Sequence, residues 1–96
     1  MTYKLLGALL ALLFLLQNPL HAQTQDKSEQ YFRSALLSYK NQDYASTYKQ
    51  LTPLVKKNYA PAQAQLAYMY EYGIGVRKDS SEANKLYKKL LNQYTE

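Results

Sequence analysis

The sequence predicts an all-α chain of two stacked helical hairpins, a short α/α solenoid. Three observations carry that reading. Small or apolar residues at 62, 66, 69 and 70 recur at helical spacing and form one buried stripe. A turn with Gly73 and Gly75 comes next, and a second stripe runs through Ala83, Leu86, Tyr87, Leu90, Leu91 and Tyr94. The same design also occurs earlier in the chain. A shift of 31 residues lays Tyr31, Ala35, Leu36 and Tyr39 on Ala62, Leu66, Ala67 and Tyr70. A shift of 36 lays Asp43, Thr47, Leu51, Leu54 and Val55 on Asp79, Ala83, Tyr87, Leu90 and Leu91. A period in the thirties marks helical hairpins that stack. The difference between the two shifts is an insertion in the turn that holds Gly73 and Gly75.

Residues 1–22 read as a cleaved export signal rather than as part of the fold. Lys4 gives a positive start, and Leu5 to Leu16 is an unbroken apolar or small run. Twelve residues are too few to span a bilayer, which takes about 20. Gln17, Asn18 and Pro19 break the run, and Ala22 is a small residue suited to cleavage. No cysteine stands after the run, so a lipid anchor at that place is excluded. Cleavage leaves 74 residues with eleven basic against seven acidic side chains, a net +4. It also removes His21, the single histidine. The expected location is the periplasm or the outside of a bacterium, with no stable membrane insertion after cleavage.

Residues 23–27 are a polar lead-in, expected to be mobile. Residues 28–60 form the first, degenerate hairpin. Its first helix spans 28–40, with Tyr31, Ala35, Leu36 and Tyr39 on one face and Phe32 beside it. Asn41 to Asp43 is a short turn, and Asp43 or Asn41 can cap the second helix. That helix spans 44–57, with Tyr44, Tyr48, Leu51, Leu54 and Val55 in register. Pro53 lies inside that pattern and removes a backbone donor, so a kink or a restarted last turn is expected. Lys56 and Lys57 suit a helix C-terminus, and Asn58 can end it.

Residues 61–96 form the second hairpin. Pro61 suits the first helical position. Ala67 is small, so a neighbouring helix can approach closely there. Gly73 falls where a left-handed cap is expected, Gly75 allows a second positive φ, and Asp79 can cap the last helix. Glu82, three residues on, completes the spacing of a capping box.

From Ala62 to Tyr87 the chain reads A-x-x-x-L-A-x-M-Y-x-x-G-x-G-V-x-x-D-x-x-x-A-x-x-L-Y. This order resembles the Sel-one-like repeat, a relative of the tetratricopeptide repeat, and the match extends to about Gln93. Ala67 replaces the usual glycine, and Leu90-Leu91 replaces the usual small pair. The second departure suggests a bulkier last helix, as at the end of an array. The first hairpin resembles the degenerate leading unit of such proteins through Asp43-Tyr44-Ala45 and Leu51-Thr52-Pro53-Leu54. The resemblance implies a non-enzymatic protein-interaction module with adaptor, regulatory or host-contact roles.

The residues offer little for other chemistry. Gly73-Ile74-Gly75 comes after a helix, whereas a phosphate loop comes after a strand. Ser46 and Lys49 stand at the S-x-x-K spacing without the further motifs such enzymes need. After cleavage no cysteine or histidine is left to hold a metal, and the carboxylates are scattered. Glu71 and Asp79 flank one turn and read as solvated surface. No catalytic residue, metal or cofactor is therefore expected, and nucleic acid is not an expected partner.

Two groups of residues remain as partner-binding candidates. Gln65, Tyr68 and Tyr72 lie on the face away from the 62/66/69 stripe, where tyrosine keeps a wet hydroxyl and an apolar ring. Leu90, Leu91 and Tyr94 lie at the end of the second stripe, where no further helix covers them. The expected partner is another protein or a second copy of this chain. Lysines at 85, 88 and 89 support an alternative, attraction to an anionic envelope polymer.

Overall fold

The computed structural model describes residues 26–95. Residues 1–22, read from the sequence as an export signal, and residues 23–25 of the lead-in lie outside the described residues. The chain is all-helical over that span: α1 (Ser28–Lys40), α2 (Tyr44–Lys56), α3 (Ala60–Tyr72) and α4 (Ser80–Thr95). α1 pairs with α2 and α3 with α4, and the hairpins stack through α2 and α3.

Asp26 stands just before α1, and its carboxylate accepts the Ser28 N–H at 3.1 Å and pairs with Lys57 at 3.6 Å. These contacts tie down the end of the lead-in, and the Ser28 side chain first, then Lys57 and the Ser28 N–H, hold the Asp26 carboxyl below its usual range. The buried face of α1 differs from the expected one. Ser28, Phe32, Ala35 and Tyr39 point inward, while Tyr31 and Leu36 are exposed. Inward positions at i, i+4, i+7 and i+11 match the helical period more closely than a face centred on Tyr31. Apolarity alone misplaced the centre of the stripe.

The first three helices end alike. Gln42, Asn58 and Gly73 each take a positive φ, at 62°, 63° and 66°. Past each of them an N–H reaches back five residues: Asp43 to the Ser38 carbonyl, Tyr59 to Leu54, and Ile74 to Met69, all at 2.9–3.0 Å. This is the Schellman closure, which satisfies carbonyls that a helix end leaves free. α2 starts on Asp43, which accepts the Ser46 N–H at 3.2 Å and the Ser46 hydroxyl at 2.7 Å. It runs through Pro53 without a restarted turn. Pro53 stands in the last turn and is exposed, so little of the helix is left to disrupt.

α3 is the central helix. It begins one residue earlier than expected, with Pro61 in its second position. Ala62, Gln63, Leu66, Ala67 and Met69 are buried, most of them completely. The core adds Ala35, Leu51 and Leu54 from the first hairpin and Leu86 from α4. Each fully buried Leu or Met contributes about 2 kcal/mol by removing apolar surface from water. Buried Thr47 satisfies itself by donating to the Asp43 carbonyl at 2.9 Å. Gln63 accepts from Gln93 at 2.9 Å, but its own Nε2 finds no partner among the described residues.

The α3–α4 turn closes on the body of the fold. Asp79 caps α4 by accepting the Glu82 N–H at 3.1 Å. The reciprocal half of the expected capping box is absent, because the Asp79 N–H donates to the Tyr70 carbonyl at 2.9 Å. Glu82 instead pairs with Lys85 at 3.5 Å. Gly75 has φ +70°, and a Cβ there would overlap Tyr44, the first residue of α2. At Gly73 a Cβ would meet the Lys78 Cβ at 3.2 Å, a milder contact that a shift of the turn by a few tenths of an ångström would relieve. Both positions disfavour an L side chain by about 1 kcal/mol from backbone conformation. Gly75→Ala should therefore lower stability by more than Gly73→Ala, with the excess reporting the Tyr44 overlap. Urea melts of the two variants check this; equal losses would show that Tyr44 moves aside freely.

Candidate functional site

The outward side of α3 is a regular row. Pro61, Gln65, Tyr68 and Tyr72 stand at i, i+4, i+7 and i+11, opposite the buried arc. Tyr68 is 45% exposed and Tyr72 60%. Their rings lie 4.7 Å apart at 50°, an angled pair one helical turn apart. Gln65 lies beside the Tyr39 hydroxyl, so the row joins the end of α1. Tyr39 packs in turn on Tyr44, with ring centres 5.3 Å apart.

The second edge comes from α4. The Tyr87 hydroxyl donates to Glu71 Oε2 at 2.9 Å. Glu71 is thus half-buried and bonded, not the solvated surface charge the sequence suggests. No local signal in the sequence links residues 71 and 87; the hairpin brings them together. Burial and then the Glu71 carboxylate raise the Tyr87 hydroxyl above its ordinary pKa, with smaller effects from Tyr72 and Tyr68. Burial, Tyr68 and Tyr44 raise that of Tyr39. Tyr39, Tyr68, Tyr72 and Tyr87 therefore gather their polar ends on one side of the molecule, with Gln65 and Glu71 among them.

The other candidates stand at the end of the stack. Leu90 is half-buried, Leu91 is 60% exposed and Tyr94 is 74% exposed. The internal repeat explains the gradient. Leu54, the equivalent of Leu90, is buried, and Val55, the equivalent of Leu91, is half-buried. In the first hairpin α3 covers that face of α2; among the described residues no helix covers it on α4. Only Ala83 and Leu86 of the second stripe are buried, because only α3 packs on them.

Two clefts flank Pro53 on α2. One, of about 230 Å³, is lined by Tyr31, Gln50, Pro53, Leu54 and Lys57. The other, of about 350 Å³, is lined by Tyr48, Lys49, Thr52, Pro53 and Lys56. Neither is lined by a carboxylate or brings Ser46 towards Lys49, so the S-x-x-K spacing meets no built site. Lys85, Lys88 and Lys89 are exposed on α4. Among the described residues no helix is long and apolar enough to cross a membrane, and no group of three or more acidic, histidine or cysteine side chains converges.

Residues 60–93 match the family model of the Sel1 repeat. The match spans α3, the glycine turn and nearly all of α4, so the likeness to the Sel1 repeat lies in the second hairpin. Such repeats serve in general as protein–protein interaction modules and are generally non-enzymatic. No curated protein and no solved structure matches the chain.

The tyrosines also bear on stability at alkaline pH. The Tyr48 and Tyr70 hydroxyls meet at 3.3 Å across the α2–α3 interface. That bond and burial push the Tyr70 pKa up to about 12, against 10.0 for a free tyrosine. A phenol raised in the folded chain favours the fold while neutral. Its contribution is complete below pH 10 and is lost as pH rises from 10 through about 12. Chemical stability should therefore fall steeply over that window, and Tyr70→Phe should flatten the fall. Urea midpoints between pH 8 and 12 measure it; an identical slope in Tyr70→Phe would remove Tyr70 as the cause.

Proposed function

We propose that this chain is an exported, non-enzymatic protein-interaction module that acts as an adaptor, a regulator or a host-contact protein. The observation that supports it most is the α3 row: Tyr68 and Tyr72 are exposed side by side on the rigid hairpin that matches the Sel1 repeat. Paired helices hold such side chains at fixed spacing, so a partner segment can dock without ordering the site first. Tyrosine suits this use because it offers large contact area with two side-chain torsions to fix.

Export rests on the apolar run from Leu5 to Leu16 and on Ala22. The mature chain should begin at Gln23 in the periplasm or outside the cell. N-terminal sequencing of the exported protein tests this, and a retained Met1 would overturn it.

The partner is another protein or a second copy of this chain, and the two exposed faces distinguish them. The α4 end, with Leu91 and Tyr94, is where a further helix of a repeat stack would sit. Stacks of this kind normally hold roughly three or more repeats, and the described residues hold two hairpins. A photo-crosslinking residue in place of Tyr72 should give a discrete adduct with a foreign protein. In place of Leu91 it should give an adduct with a further helical surface, a second copy included. The measurement is made on the exported protein in its native envelope. Absence of adducts from both positions would overturn the module reading.

A second reading, binding of an anionic envelope polymer, is favoured by exposed Lys85, Lys88 and Lys89 on one helix. Retention on the polymer would then fall steeply with salt, whereas the docking of tyrosine rings would not.

A further inference from the structure

We propose that the tyrosine cluster around Glu71 takes an arginine side chain from the partner. This rests on the interaction-module reading and adds the chemistry of what is bound. The full chain carries a net +5, yet the ionic group within this cluster is a carboxylate. Glu71 takes part in none of the ion pairs among the described residues, which join Arg33 to Glu29, Lys57 to Asp26 and Lys85 to Glu82. It is half-buried, and among the described residues its bonding partner is the neutral Tyr87 hydroxyl on Oε2, with no hydrogen bond on Oε1.

A partner's cation can therefore meet this carboxylate without displacing an ion pair already made among the described residues. The surroundings favour guanidinium over ammonium. The Tyr68 and Tyr72 rings, 4.7 Å apart, present adjacent aromatic faces on the same helix. A planar guanidinium can stack on a ring and still donate in its own plane to a carboxylate. A lysine ammonium is a strongly hydrated point charge and uses only part of this arrangement. Gln65 and the Tyr39 hydroxyl, farther along the row, offer neutral hydrogen bonds to the backbone of the segment carrying the arginine.

The exposed α4 end and the clefts beside Pro53 do not compete for this ligand. The first is apolar, and the second pair is bordered by Lys49, Lys56 and Lys57, which would repel a cation.

The test is a heteronuclear NMR titration of the mature protein with acetyl-Gly-Arg-Gly-amide. The citrulline peptide, its uncharged near-isostere, is titrated in parallel. Saturable shifts should appear at amides within 65–72 and at Tyr87. Citrulline should bind at least about fivefold more weakly, with lysine between the two. Glu71→Gln keeps an acceptor for the Tyr87 hydroxyl, so its folded spectrum should persist while the preference for arginine over citrulline disappears. Tyr72→Ala, at an exposed position, should weaken arginine binding by a similar factor. Equal shifts with arginine and citrulline, or an undiminished preference in Glu71→Gln, would overturn the proposal. Such a result, together with a foreign-protein adduct from position 72, would remove arginine as the ligand and leave the module reading standing. Loss of both would remove the two together.

Discussion

The fold depends on α3 packing against two helices at once. α1 and α4 each have one main neighbour, α2 lies between α1 and α3, and α3 lies between α2 and α4 with the larger share of the buried core. A helix buried on two sides needs small residues where the neighbours approach and larger ones where they part. Ala62 and Ala67 are fully buried and supply the first; Leu66 and Met69 supply the second. Tyr70 then reaches Tyr48 on α2, and Glu71 reaches Tyr87 on α4. On α3 only Pro61, Tyr68 and Tyr72 are exposed, with Gln65 half-buried between them, which is why the outward row is narrow.

The connections carry this packing from one hairpin to the other. The α3–α4 turn does more than reverse the chain. Through Asp79 it bonds the last turn of α3, and through Gly75 it lies against Tyr44 at the start of α2. Tyr44 packs on Tyr39, whose hydroxyl lies beside Gln65. The turn and the candidate site are thereby linked through two tyrosine rings. A change in the turn that moves Tyr44 would be felt at Tyr39 before it reached Tyr68 or Tyr72.

Much of this was legible in the sequence because it rests on local chemistry. Helix limits could be read from Asp43, Asn58, Gly73 and Asp79, residues whose preferences act within one turn of the chain. The Tyr68–Tyr72 row came from helical spacing alone. What the sequence hid depends on neighbours distant in the chain. Phe32 rather than Tyr31 faces inward because of where α2 lies, and both residues are aromatic. Gln63 is buried because α4 folds over it, although glutamine alone reads as surface. Glu71 looked like a solvated charge because its partner Tyr87 is 16 residues away. Gln42 takes a left-handed conformation that glycine or asparagine would have announced. Its equivalent ending in α2 is marked by Asn58 and in α3 by Gly73, so the closure was legible in two of three places.

The abundance of tyrosine has a physical consequence for how binding and stability are divided. The chain has eleven tyrosines and two phenylalanines. A two-hairpin stack has almost no position remote from water, so a ring that buries its face and wets its hydroxyl fits more places than phenylalanine does. Tyr48, Tyr70 and Tyr87 work in this way, with rings in or against the core and hydroxyls bonded at its edge. Tyr68 and Tyr72 use the same side chain with most of the ring left available. Glu71 supports Tyr87 on one oxygen and stands between Tyr68 and Tyr72 in the sequence of α3. Filling the site would neutralise the charge that the Tyr87 bond already holds in place. A bound partner should therefore tighten the α3–α4 hairpin itself, because the carboxylate that would meet the partner is also the one that joins those two helices.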